Sequence, residues 1–319
     1  MTPATGLDVL MAYLLDRVLG DPPRPTHPVV LMGKGITLGE RLVRRMARSP
    51  LGLRVGGVLL ASVVVASVYG LARLGVAVAR EVDPRLGTAL SVWLVATAVA
   101  GRELGRSAMA VRDALAAGDL ELARRRLSMI VGRDTEELSA EEVARGAVET
   151  VAENLVDAVV APLAYAFLGG APLVLAYRAV NTMDSMLGYR DPRYVHIGWF
   201  PARLDDFANY LPARLAGVLL VVSAALLGMD WRGAARVIAR DARRHPSPNA
   251  GIPEAGVAGA LRVRLGGLNT YGGRPAPRAF MGEPLRPLDH RRIVEAVRLV
   301  TAASHGAALL GLAIWLAAA

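Results

Sequence analysis

The sequence predicts an all-α fold, a polytopic integral membrane bundle of helices with polar cytoplasmic excursions, and three observations carry that expectation. Of 319 residues, 53% are hydrophobic and the mean hydropathy is +0.37, high for a water-soluble enzyme of this length. Five apolar runs, at 55–79, 86–101, 155–178, 211–228 and 297–318, are candidate spans against the roughly 20 apolar residues that a crossing helix needs. Arginine is dense beside the first two of those runs, before the first and after the second. A single anchor is thereby excluded, and the chain reads as one membrane domain over 1–319 with polar excursions at 102–147 and 229–293.

Residues 6–20 are mildly apolar but carry Asp8, Asp16 and Arg17, without a basic start or a small-residue cleavage site, so no removable signal peptide is expected. Arg41, Arg44, Arg45, Arg48 and Arg54 precede the first long run, with no acid after Glu40. Arg102, Arg106, Arg112 and Arg124 to Arg126 follow the second. The excess of basic residues in short cytoplasmic loops makes both flanks cytoplasmic. In the first excursion the pattern is amphipathic and helical, and Ser139 with Glu142 forms a capping box for a helix that carries Glu149.

The run at 155–178 is interrupted by Gly169-Gly170-Ala171-Pro172. One uninterrupted crossing would put Asn181 and Asp184 opposite Glu149. A hairpin broken at the glycines returns them to the starting side, since non-helical backbone is tolerated at membrane depth when protein surrounds it. The hairpin is the expected arrangement, although it leaves 229–293 on the outer side unless a segment such as 255–268 re-enters. That second excursion holds Pro246, Pro248, Pro253, Pro275, Pro277, Pro284 and Pro287, so turns and extended loop are expected there.

The chain has no cysteine, which excludes disulfides, thiolate metal sites and cysteine nucleophiles. The net charge of +9 is almost entirely arginine, Lys34 being the only lysine. No aromatic interleaving or helix-turn-helix pattern accompanies these arginines, so no nucleic-acid partner is expected. Lys34 follows Gly33, but Pro28 stands where a phosphate loop needs its first glycine and Gly35 where it needs Ser or Thr.

Three polar clusters border the apolar runs. At about 100° per residue, Glu149, Glu153, Asn154 and Asp157 share one helical face, as do Asn181, Asp184, Ser185 and Gly188, and again Asp205, Asp206 and Asn209. Acids near a membrane core face a bundle interior, a partner or an ion. Hard oxygen donors of this kind suit Mg²⁺ shared with substrate phosphates. Arg178, Arg190, Arg203 and Arg214 are the neighbouring cations able to grip phosphate oxygens. The competing reading is interhelical salt bridging, Glu149 to Arg145 or Asp205 to Arg203, with the asparagines as hydrogen-bond glue. His245, Ser247, Asn249 and Glu254 lie in a Gly/Pro-rich loop able to cradle an anion, while GGLNTYGG reads as a turn.

Taken in order, GDPPRPTHPV, GRDT, ETVAENLVDAVVAPLAYAFLGGAPLVLAYRAVNTMDSMLGYR, ARLDDFANYLPAR and SPNAGIPEA closely resemble segments of the adenosylcobinamide-phosphate synthases, the CobD/CbiB membrane proteins of cobalamin biosynthesis. The likeness runs from about residue 8 to 273, with Ala158 where glycine is commoner and Ile252 where an aromatic is commoner. It implies an ATP-dependent amide ligase that joins adenosylcobyric acid to aminopropanol or its O-phosphate. The cofactors it implies are ATP and Mg²⁺. Within it, Glu149, Glu153, Asp157, Asp184, Asp205 and Asp206 form the catalytic acid pool, with Glu153, Asp157, Asp184 and Asp206 as metal ligands. Asn154, Asn181 and Asn209 orient the acids, Arg178, Arg190, Arg203 and Arg214 hold phosphate, Asn249 and Glu254 line the same mouth, and Ser185, Asp21 and His27 join the substrate- and phosphate-binding set, with turn capping by Asp21 and packing of His27 as the alternatives. The implied partners are the corrinoid, the amine, the lipid bilayer, other late cobalamin-assembly enzymes and a second copy of the chain, with residence in the inner membrane. An intramembrane Mg²⁺-dependent prenyl transferase and a non-catalytic scaffold are the rival readings.

Overall fold

In the computed structural model, which describes residues 6–20, 27–189 and 191–318, a capping side chain followed by proline starts three of the first four helices. After α1 (Gly6–Leu19), His27 caps α2 (Pro28–Met46), Ser49 caps α3 (Pro50–Val82), and Asp83 caps α4 (Pro84–Ala96). Proline at the first helical position loses nothing, because a helix leaves that N–H unpaired. There follow α5 (Gly101–Ala116), α6 (Leu120–Ser128) and α7 (Ala140–Leu155), then a π turn at Val156–Val160 and α8 (Ala161–Leu187). The Ser139 and Glu142 capping box at the head of α7 is present with both of its reciprocal bonds. The remainder is α9 (Trp199–Ala208), α10 (Tyr210–Leu226), α11 (Trp231–Asp241), α12 (Gly251–Leu261), strands β1 (Arg264–Tyr271) and β2 (Arg274–Gly282), and α13 (His290–Ala318).

Three helical stretches, Pro50–Val82, Ala140–Leu187 and His290–Ala318, are long and apolar enough to cross a membrane, and Trp199–Ala208 with Tyr210–Leu226 adds a fourth if counted as one broken span. Leu59, Val63, Leu71 and Leu74 of α3 are each at least 60% exposed. An apolar stripe of this extent suits lipid and not water. The expected span at 86–101 does not form. Helix α4 has 13 residues and stops at Thr97, whose hydroxyl bonds back to the Leu94 carbonyl. At 1.5 Å per residue it reaches about 20 Å, short of a hydrocarbon core near 30 Å.

The chain folds as two compact units, Met1–Ala100 with Ala161–Asn209 and Leu310–Ala319, and Gly101–Val160 with Tyr210–Leu309. In the first, Gly39 lies against Leu60 and Gly56 against Val43, a pairing that sets α2 antiparallel to α3. Ile36, Leu60, Ala61, Met183 and Leu187 then close a core among α2, α3 and α8. Helix α8 is broken where the sequence predicts it, at Gly169 (φ −149°, ψ 15°) and Gly170 (φ 66°, ψ −158°). The second pair of angles is open essentially to glycine alone. The Tyr165 and Tyr177 rings stack across the break with centroids 4.9 Å apart. Twelve residues of straight helix would separate them by about 18 Å, so the chain reverses there.

The second unit corrects the expectation of turns and loop at 229–293: α11, α12 and a β-hairpin occupy most of it. The hairpin turns on Gly272 and Gly273, both at positive φ (56° and 75°), as a two-residue turn of the hairpin type requires. Pro275 and Pro277 fit on β2 because they are two residues apart and share one backbone orientation, and a two-stranded sheet leaves one side of each strand unpaired. Gly266 sits in a bulge at φ 87°, where an added Cβ would stand 2.2 Å from the Ala279 carbonyl oxygen.

Candidate functional site

The second and third polar clusters meet inside the first unit. Asp205 is buried, and its two oxygens accept from Asn209 Nδ2 at 2.9 Å and Asn181 Nδ2 at 3.4 Å. Asn209 in turn accepts from the Tyr177 hydroxyl at 2.9 Å, which fixes the orientation of its amide. Tyr165 donates to the Ala208 carbonyl, so the stacked tyrosines of the α8 hairpin are tied to the end of α9. Asp184 and Asp206 are half-buried and lie close enough for the three carboxylates to repel one another. Arg203 pairs with Asp206 at 3.4 Å and not, as the salt-bridge reading had it, with Asp205. Arg178 donates to Asn181 at 3.4 Å, and Ser185 donates to the Asn181 carbonyl, which spends its hydroxyl on its own helix. Among the described residues, no basic side chain lies within 4 Å of Asp184 or Asp205.

The second unit carries the first cluster, and there the acids divide. Glu149 is 5% exposed and lies between Arg133 (2.9 Å) and Arg145 (3.2 Å), while Gly266 N–H donates to it at 2.8 Å. Arg145 also donates to the carbonyls of Gly266 and Leu268, and both arginines donate to Asn269. Glu149 is therefore spent on clasping the hairpin to α7, which revises its place in the catalytic pool. Asn154 donates to the Thr150 carbonyl at 2.9 Å, a bond within its own helix. Glu153 is half-buried near Arg278, and Asp157 is half-buried on the π turn, a feature frequent at functional sites.

Glu254, in the first turn of α12, is 1% exposed. Its Oε1 and His245 Nε2 face each other at 3.4 Å without hydrogen-bond alignment. His245 Nδ1 accepts from Ser247 N–H at 3.0 Å, so the neutral ring carries its proton on Nε2. Burial raises the Glu254 carboxyl well above the usual carboxylate range, with the Glu153 and Glu149 charges adding to it. Burial lowers the His245 imidazole, and Arg278 lowers it further. Arg214 is committed elsewhere: it stacks 3.5 Å over the Tyr210 ring and donates to Asn249 at 2.8 Å, holding the SPNAG loop. His27 caps α2 by accepting from Val29 N–H. Asp21 and Arg190 lie outside the described residues.

Among the described residues, no group of three or more His, Cys, Asp or Glu side chains is arranged to hold a metal ion by itself. Sequence reasoning missed Arg133, Asn269, Arg278 and Tyr177. Asn269 stands in GGLNTYGG, which reads alone as a turn, and Arg133 in GRDT, which entered only as a segment of the resemblance.

A family model described as CobD/Cbib protein matches residues 9–300. A Cobalamin biosynthesis protein CobD of Geobacter metallireducens is 52% identical over 300 residues, covering 94% of this chain and 93% of the relative. One of Klebsiella pneumoniae is 47% identical over 311 residues, covering 97% and 98%. A Cobalamin biosynthesis protein CbiB of Salmonella arizonae is 44% identical over 308 residues, covering 97% and 95%. No solved structure matches the chain.

Proposed function

The chain belongs to the CobD/CbiB protein family, and on that premise we propose that it is an adenosylcobinamide-phosphate synthase. It joins a propionate carboxyl of adenosylcobyric acid to the amine of (R)-1-amino-2-propanol O-2-phosphate, or of aminopropanol, at the expense of ATP. The observation that carries the chemistry is the Asp184, Asp205 and Asp206 cluster, with Asp205 aimed by two asparagines. Three close carboxylates beside apolar helices call for a cation, and hard oxygen donors select Mg²⁺. Mg²⁺ commonly binds through one or two carboxylates plus substrate phosphates, so the ion proposed here is one that arrives bound to the nucleotide. Bound there, it would neutralise phosphate charge as the carboxylate substrate is activated. In the second unit, Asp157 and Glu153 are the half-buried acids of the first cluster proposed to contribute to the site.

A carboxylate is a poor electrophile, so the reading includes phosphoryl transfer from ATP to give an acyl phosphate and ADP, after which the amine attacks the acyl carbon and inorganic phosphate leaves. Arg178 and Arg203, beside the acid cluster, are the cations proposed among the described residues to hold phosphate, Arg214 being committed to its loop. The amine enters as an ammonium, near the lysine range of about 10.4, and must lose a proton before attack. Glu254, held against His245, is the acid whose surroundings suit it to take that proton. Because ATP is cytoplasmic, the site opens toward the cytoplasm from the inner membrane.

The test is ADP release by the detergent-purified protein. Release that requires both the cobyric acid and the amine supports the synthase. Prenylation of an aromatic acceptor without any corrinoid amide would replace it with the prenyl transferase, and no dependence on nucleotide or metal would leave a scaffold.

A further inference from the structure

We propose that the elbow between α2 and α3 is a binding site for the phosphate headgroups of anionic phospholipids. Two facing helices bring their charges together there: α2 ends at Met46, α3 begins at Pro50, and Val43 packs on Gly56. Arg41 and Arg45 lie one turn apart on α2, Arg48 is in the connecting turn, and Arg54 is in the second turn of α3. All four are exposed, and none has an acidic partner within 4 Å among the described residues. Arg44, by contrast, is neutralised by Glu40 at 2.7 Å. Four like charges in fourteen residues repel one another, and an external anion relieves the repulsion.

The apolar surroundings say which anion. Leu42, Met46 and Leu51, interleaved with those arginines, are 56%, 80% and 72% exposed. Such residues would be disfavoured against water but suit the acyl chains just below a headgroup. Trp199, 45% exposed, stands under Arg54 at 5.8 Å, and Tyr194 under Arg44 at 5.4 Å. Tryptophan and tyrosine collect at the membrane–water boundary, with arginine on the cytoplasmic side. Cations, boundary aromatics and exposed aliphatics at the mouth of one long span are what a lipid phosphate meets, whereas a free nucleotide needs no acyl surface. The inference is independent of the proposed reaction.

The test is native mass spectrometry of the protein released from nanodiscs holding equal phosphatidylglycerol and phosphatidylcholine. A cation near an anionic surface multiplies affinity about fivefold, so the wild type should retain phosphatidylglycerol by about tenfold or more over phosphatidylcholine. R41Q/R45Q/R48Q/R54Q should lose that preference, while the matching lysine variant keeps most of it, and rising salt should erode it in the wild type. The lysine variant and the salt series decide the question even if the glutamine variant folds poorly. Equal retention of the two lipids by the wild type, a preference indifferent to salt, or one competed away by ATP or inorganic phosphate would each overturn the proposal.

Discussion

Asp184 and Glu149 are both acids on long apolar helices, yet their surroundings ask opposite things of them. Glu149 is clasped by Arg133, Arg145 and Gly266 N–H, and breaking a buried ion pair by removing one partner costs about 3–5 kcal/mol. Asp184 faces other carboxylates, with no basic group within 4 Å among the described residues. Glu149→Gln should therefore lower the melting temperature markedly, while Asp184→Asn should leave it nearly unchanged and reduce amide formation by about 10²–10³. Paired melts and turnover in one detergent check this, and the reverse pattern would make Asp184 a brace. A second expectation concerns pH. Glu254 must be deprotonated to accept a proton, so activity should fall as pH drops through its pKa, which burial and the Glu153 and Glu149 charges place above the ordinary glutamate range. Arg278→Gln removes a positive charge that holds the Glu254 carboxyl down, so the carboxyl is raised further and the acid limb of the pH–rate profile moves to higher pH. A limb that stays in place contradicts the assignment. The face shared by Asp205 and Asn209 was legible from helical spacing because 3.6 residues per turn is local geometry. The use of Glu149 was legible only as an alternative, since Gly266 reaches it, and Asn269 reaches its two arginines, from more than a hundred residues away.

The element that most shapes the first unit is the α8 hairpin, and it was readable because glycine alone accepts the angles at Gly170. In this cysteine-free chain, Tyr165→Cys with Tyr177→Cys should be joined by a short bis-maleimide within one molecule. A straight helix would hold the pair about 18 Å apart, and failure to cross-link while each thiol reacts singly would restore the uninterrupted span. The hairpin of β1 and β2 was not readable. Seven prolines in 229–293 argued against strands, and the two that fall on β2 are accepted only because a two-stranded sheet has unpaired edges. What holds it comes from elsewhere in the sequence: Asp134 accepts from Gly272 and Gly273 at the tip, and Asp241 accepts from Gly282 at the base. Helix α4 fails as a span for a local reason, the Thr97 stop, that average hydropathy does not register.

At the scale of the whole molecule, exposed apolar helices suit the bilayer, while the buried acids divide: Glu149 and Asp241 are paired within the protein, and the Asp184, Asp205 and Asp206 cluster is the one proposed to meet a charged ligand. The family and the membrane character were legible from ordered segments and hydropathy. The division into two compact units was not, because each unit gathers segments far apart in the chain. The central claim is the bond that the protein makes, and mass spectrometry of the corrinoid after incubation with purified protein, MgATP and aminopropanol O-phosphate tests it most directly. The account predicts a corrinoid heavier by the amine less one water, formed with release of one ADP and one inorganic phosphate per amide and absent when ATP or Mg²⁺ is withheld. Recovery of unchanged cobyric acid from protein that is folded and lipid-supplied would contradict it.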